Sequence, residues 1–214
     1  MLSQMEDKHD PHLQVGKGNS WYVVDQFEQL NKPGTRAIIE QRWKYFSDAF
    51  IHYLDSLALL NKKVPFQCLD AGCGDGINLQ WLREFFRKHS VDAKVTALDY
   101  NSFRVKRVAE KQLADDIYVA SLLEMPFNDS IFDMVICSHV LEHIASYHKA
   151  LNEIMRILKP GGFILIGVPN EGCFLAWLRN RVIQRSVLKK TDHVNFFRSE
   201  VLVKALCESG FNIV

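Results

Sequence analysis

From Phe66 onward, short apolar runs alternate with amphipathic helical stretches, and a chain with that rhythm has few ways to fold. Runs at 66–71, 94–99, 117–121, 132–138 and 163–168 have strand length. Helical spacing fills 77–88, 101–112, 147–158 and 199–209, and a further strand is expected to start at 211–214. Strands that are apolar along their whole length, each followed by a helix, imply a parallel sheet covered on both faces. Open sheets of this kind bind ligands beyond the carboxyl ends of their strands. Function is therefore expected in the loops after Ala71, Asp99, Ser121, Ser138 and Val168.

Ahead of the alternation, Ile38, Ile39, Trp43, Phe46, Phe50, Tyr53, Leu54 and Leu57 recur at three-to-four spacing, predicting a helix over 35–60. Residues 1–20 are polar and read as a mobile arm. The expected organisation is that arm, a helical N-terminal cap over 21–64, and one α/β domain over 65–214 with a lid insertion at 171–195. The sheet is expected to lack its last strands, because the chain stops as the final one begins. At 214 residues one domain with a sizeable core is affordable and two are not. A formal net charge of +1 offers no whole-molecule field for nucleic acid. The five cysteines, scattered and odd in number, predict neither a disulfide framework nor a structural zinc site and fit a reducing cytoplasm.

The strongest local signal is Leu69-Asp70-Ala71-Gly72-Cys73-Gly74-Asp75-Gly76 at a strand-to-helix turn. Glycines there let the backbone bend sharply and come close to a ligand. No Gly-Lys-Ser/Thr follows, which excludes a P-loop, and Ile77 replaces the last glycine of a dinucleotide fingerprint. Asp70 would repel a pyrophosphate but suits a cationic ligand such as the sulfonium of S-adenosylmethionine. Asp99, ending the second strand, is placed to accept hydrogen bonds from both hydroxyls of a ribose. The plainer alternative is that the glycines only make a tight turn and Asp99 only caps the next helix.

With these residues in order, the chain resembles class I S-adenosylmethionine-dependent methyltransferases. Residues 69–76 look like their first motif, and Asp99-Tyr100 is similar to the ribose-binding acid and the adenine contact after it. Glu124-Met125-Pro126-Phe127, Phe132-Asp133-Met134-Val135, Val140-Leu141-Glu142-His143-Ile144 and Ile157-Leu158-Lys159-Pro160-Gly161-Gly162 resemble the subgroup of ubiquinone, menaquinone, glycan and small-molecule methyltransferases. The resemblance implies a three-layer Rossmann-like fold, S-adenosylmethionine as cofactor and S-adenosylhomocysteine as product. It implies cofactor contacts at Asp70, Gly72, Cys73, Gly74, Asp99, Tyr100, Ser121, Leu122 and Ser138. Ser121 stands where the family usually has an aspartate for the adenine amino group, which implies a weaker adenine contact. The acceptor implied is a small molecule with a hydroxyl, such as a sugar or quinone. An RNA- or protein-modifying enzyme and a non-catalytic partner subunit are the alternatives, and the pattern is silent on oligomeric state.

For the chemistry, His143 and His193 are the candidate bases, with Asp192 and Asn195 placed to orient an imidazole near His193. For each of them a structural role, orienting or seating the loop it stands in, is the plainer reading of the sequence. His139-Val140-Leu141-Glu142-His143 spells a His-x-x-Glu-His motif, but that motif needs a helix, and His139 falls at a strand end; no metal is expected. The basic, apolar segment 174–190 is read as a lid helix. It could clamp an anionic acceptor, lie on a membrane surface, or simply pack with a solvated basic face.

Overall fold

The computed structural model of the protein describes residues 25–57, 64–169 and 193–214. The lid segment 174–190, the arm 1–20 and Asp192 lie outside the described residues. A short helix α1 (Gln26–Gln29) leads into the long α2 (Pro33–Leu57). Then come β1 (Phe66–Ala71), α3 (Ile77–Lys88), β2 (Ala93–Asp99), α4 (Ser102–Glu110), β3 (Asp116–Val119) and β4 (Phe132–Ser138). A 3₁₀ turn (Leu141–His143), α5 (Tyr147–Ile157), β5 (Leu158–Gly167) and α6 (Ser199–Glu208) complete the order. Asn101 caps α4 as its spacing predicts: its side chain accepts from the amides of Phe103 and Arg104.

All five strands run parallel in the order β3-β2-β1-β4-β5. The order reverses between β1 and β4. Because parallel crossovers are right-handed, the helices of the two halves lie on opposite faces and leave a crevice at that junction. Strand side chains divide by parity between the two faces. Cys68, Met134 and Ile136 join a core with Leu79, Leu82, Phe85 and Val108 of α3 and α4. Leu69, Val135 and Cys137 join a core with Leu151, Ile154, Ala205 and Leu206 of α5 and α6. This is the three-layer Rossmann-like architecture the strand–helix rhythm implies.

α3 and α4 cover only the β1–β3 half of their face. α2 covers the rest. Ile39, Trp43, Phe46 and Phe50 bury one stripe of it in the α3-side core. Trp43 stacks on Trp81 of α3 with centroids 5.1 Å apart, and Phe50 packs on Phe85 and, across the sheet, Phe163 of β5. Trp43 and Phe46 thus belong to the core, whereas Tyr45 is exposed.

The structure corrects three boundaries. Residues 211–214 form no strand: the Phe211 amide closes the end of α6 by donating to the Leu206 carbonyl, and none of the four residues pairs with the sheet. β3 ends at Val119, so Ser121 belongs to the following turn rather than the strand. β5 starts at Leu158, earlier than expected, because Leu158 pairs with Phe132 and Phe163 with Met134, leaving Lys159–Gly162 as a bulge. Gly161, at φ 75°, permits that bulge. Among the described residues, no helix is long and apolar enough to cross a membrane.

Candidate active site

The loop between β1 and α3 is built on left-handed backbone: Gly72, Gly74 and Gly76 have φ of 83°, 54° and 93°. At Gly72 a β-carbon would collide with the Val140 side chain, so the glycine is also what lets the loop after β4 pack against this turn. The amides of Gly72 and Cys73 both donate to the Leu98 carbonyl at the end of β2. Asp99, the next residue, accepts from the Gly74 amide at 2.8 Å through one carboxylate oxygen and from the Asn101 amide at 2.8 Å through the other. Burial raises its pKa against those two hydrogen bonds and the charge of Arg104. Each oxygen keeps a second lone pair, so Asp99 is fixed in place with acceptor capacity left for a diol. Tyr100 follows it and is 41% exposed at the mouth of the crevice.

Asp70 behaves differently. It is fully buried on the α2–α3 side, with Asn78 of α3 as its polar neighbour and, among the described residues, no hydrogen bond of good geometry to either oxygen. Burial pushes its pKa up to about 7, opposed by nearby Asn78 and by Arg42 and reinforced by Asp99. Asp70 is thus an enclosed carboxylate at the end of β1, directly before the glycine loop. Arg42, on α2, is a half-buried residue with an enclosed Nε that sequence reasoning missed; its charge faces both Asp70 and Glu142. Its place in the apolar stripe of α2, one residue before Trp43, is the only signal that could have pointed to it.

Across the sheet switch, Ser121 uses its hydroxyl oxygen to accept from the Leu123 amide at 3.1 Å, a local turn bond. Leu122 is buried beside it in the α5-side core. Ser138 ends β4 with a buried hydroxyl that has no hydrogen-bond partner among the described residues and faces Gly167 of β5. After it, His139 takes a left-handed φ of 58°, a conformation a histidine adopts at some cost in strain. Its Nδ1 lies 3.2 Å from Oε1 of Glu142, whose side chain is 1% exposed. His143 packs edge-on against His193 with ring centroids 4.8 Å apart, and its Nε2 is 4.0 Å from the same Glu142 oxygen.

The chain after the lid segment is tied to this turn. Val194 and Asn195 both donate their amides to the Glu142 carbonyl. The Asn195 side-chain amide donates to the carbonyls of Leu141, at 2.9 Å, and Ile144, at 2.7 Å. Asn195 therefore orients the backbone of the 3₁₀ turn and not an imidazole, which corrects the expected role. The reason is geometric: an amide satisfies two converging carbonyls better than one ring nitrogen. Sequence separation hid the link, since 51 and 54 residues part the partners.

Residues 69–166 match the methyltransferase domain family. Over residues 69–166 the chain is similar to class I S-adenosylmethionine-dependent methyltransferases. An uncharacterized protein of Methanocaldococcus jannaschii is 38% identical over 128 residues, covering 59% of this chain and 52% of that protein. The probable S-adenosylmethionine-dependent methyltransferase of Mycolicibacterium smegmatis is 32% identical over 106 residues, covering 50% of this chain and 39% of that one. The chain thus spans about half or less of the length of these two relatives. Among solved structures, the plantazolicin methyltransferase BpumL, in complex with S-adenosylhomocysteine and a desmethylplantazolicin analogue, superposes with a TM-score of 0.63. That match has 15% identity over 89% of this chain and 72% of that one, so it establishes the fold alone. The matched methyltransferase domain contains the glycine loop, Asp99 and the Glu142 turn.

Proposed function

We propose that the protein transfers the methyl group of S-adenosylmethionine to a hydroxyl of a small-molecule acceptor such as a sugar, a quinone or a related metabolite. One observation carries this reading: the crevice where the sheet order reverses is flanked on one side by Asp99 and the glycine loop, and on the other by His139, His143, His193 and buried Glu142. The first side suits a cationic nucleoside. Asp99 holds the Gly74 amide and keeps lone pairs for the ribose, while Tyr100 and the Ser121–Leu122 turn border the adenine region. The second side supplies proton acceptors where an acceptor would sit.

In the reaction, a lone pair of the acceptor oxygen attacks the methyl carbon in line with the carbon–sulfur bond. That bond breaks with its electron pair on sulfur, leaving neutral S-adenosylhomocysteine, and the hydroxyl proton passes to an imidazole. Alignment supplies most of the rate for such a displacement, and a base matters because an alcohol is a poor nucleophile when protonated. His139 is suited to that role: about half of its side chain is exposed, and Glu142 stands behind its Nδ1 to orient it and stabilise the imidazolium. Calorimetry with S-adenosylmethionine and S-adenosylhomocysteine, followed by methyl-transfer assays on panels of hydroxylated metabolites, tests the reading. Cofactor binding with transfer to hydroxyls is the expected result, and binding with transfer only to amines or to RNA would replace it.

A further inference from the structure

Glu142, His143 and His193 bring one ligand atom each to within 4.8 Å of one another. We propose that these three side chains form a binding site for a divalent first-row cation, of the zinc, manganese or cobalt kind, beside the methyl-transfer crevice. The His-x-x-Glu-His spacing points to a different trio and is misleading here. On an α-helix it would bring His139 and His143 to one face, but the segment is a 3₁₀ turn, and His139 precedes it at φ 58°. The second imidazole arrives instead from His193, fifty residues later, held there by the bonds from Val194 and Asn195 to the turn.

The charges favour a cation. Glu142 is 1% exposed, and among the described residues neither of its oxygens accepts a hydrogen bond of good geometry. A buried carboxylate in that condition is costly unless a positive group compensates it. Arg42 is the guanidinium that faces it, and Arg42 faces Asp70 as well. Among the described residues, one guanidinium thus faces two enclosed carboxylates, and the Glu142 carboxylate lies where the imidazoles converge. Two nitrogens and one carboxylate oxygen are a donor set that suits zinc, manganese, iron or cobalt and disfavours magnesium, which wants oxygens. Ligands about 2.0–2.2 Å from an ion lie roughly 3–4.3 Å apart, so a closure of about half an ångström draws these three onto one ion. Three protein ligands leave open positions, as catalytic sites do. His139, 3.2 Å from Glu142, stays outside the ligand set and steadies the carboxylate from behind. The site stands on these residues alone; its use, binding the acceptor hydroxyl and acidifying it, rests on the function proposed above.

The test uses the full chain, stripped with a chelator and titrated with Co2+. The expected result is one equivalent bound, with the visible d–d absorption of a nitrogen–oxygen site. Glu142→Gln and His193→Asn should each weaken binding at least about 100-fold, while Asp99→Asn should leave it within about threefold. S-adenosylmethionine binding, measured separately, shows that each of the two ligand variants is folded. Absence of stoichiometric Co2+ binding, or an unchanged affinity in His193→Asn with cofactor binding intact, would overturn the site. Failure of the methyltransferase reading shows elsewhere, as loss of cofactor binding in the unsubstituted chain.

Discussion

Asp99 clamps the glycine loop through the Gly74 amide with one carboxylate oxygen and holds the Asn101 amide with the other, and the lone pairs left over are those that the proposed function assigns to a ribose. Asp99→Ala should therefore weaken S-adenosylmethionine binding about 10–150-fold, the range of one lost charge-assisted hydrogen bond, as read by calorimetry. Asp99→Asn, which retains one acceptor oxygen, should lose less. The pairing of glycine loop and downstream acid was legible in the sequence because both sit at strand ends, where register fixes their positions. The clamp was not, because nothing in the spacing shows that the acid also accepts from the loop's backbone. Asp70 gives a pH signature. Burial raises its pKa from 3.8 to about 7, so between those values the folded protein binds a proton that the unfolded chain has released. The associated stability is fully present below about pH 4 and is lost as pH rises through 7. Asp70→Asn removes that loss. In urea titrations its stability should exceed that of the unsubstituted protein by on the order of 1–4 kcal/mol at pH 8, with the gap closing towards pH 4. The cationic cofactor favours the ionised form, so its affinity should rise with pH through about 7 in the unsubstituted protein and stay flat in Asp70→Asn.

Among the elements, the 3₁₀ turn after β4 owes its shape to a segment far along the chain. It is too short to hold itself, and Asn195 supplies two of the hydrogen bonds that fix its carbonyls. Asn195→Ala should cost about 1–3 kcal/mol in urea unfolding, since it strands partly buried acceptors. It should also lower turnover several-fold while cofactor affinity changes less than threefold, because the glycine loop is untouched. Equal losses in affinity and turnover would mean that Asn195 supports the whole crevice and not the turn. The central elements were legible from pattern: β1, α3 and β4 run from Phe66, Ile77 and Phe132 to the ends their apolar runs predict. Those strands are buried on both faces and bounded by glycine or polar residues, so their ends are sharp. The edges were not. The run at 211–214 has strand composition but pairs with no strand, and Pro160-Gly161-Gly162 reads as a stop although the ladder continues past it through a bulge. Composition registers propensity, and pairing depends on what lies alongside.

At the scale of the whole molecule, the unusual member is α2. A parallel sheet that reverses order at β1/β4 places α3 and α4 on one face and α5 and α6 on the other, so the β4–β5 half of the first face needs a cover from outside the repeating strand–helix units. α2 supplies it, through Trp43, Phe46 and Phe50, and in doing so carries Arg42 to the two enclosed carboxylates behind the crevice. Packing and charge compensation thus arrive on one helix. The periodicity of 38–57 made the helix legible, but its destination depended on a topology that no local pattern encodes. The two contributions separate by substitution. Phe50→Ala should cost about 3–5 kcal/mol through lost burial and a cavity between Phe85, Phe86 and Phe163, with cofactor affinity preserved wherever the protein remains folded. Arg42→Met keeps most of the packing but leaves Asp70 and Glu142 without their shared cation, at a cost of about 3–5 kcal/mol near pH 8. That cost should shrink as the pH falls and Asp70 takes up its proton, whereas the Phe50→Ala cost should not vary with pH. Parallel urea titrations at pH 6 and pH 8 read the difference. If the Arg42→Met penalty were the same at both, the guanidinium would be acting as packing, and the electrostatic link between α2 and the crevice would fall.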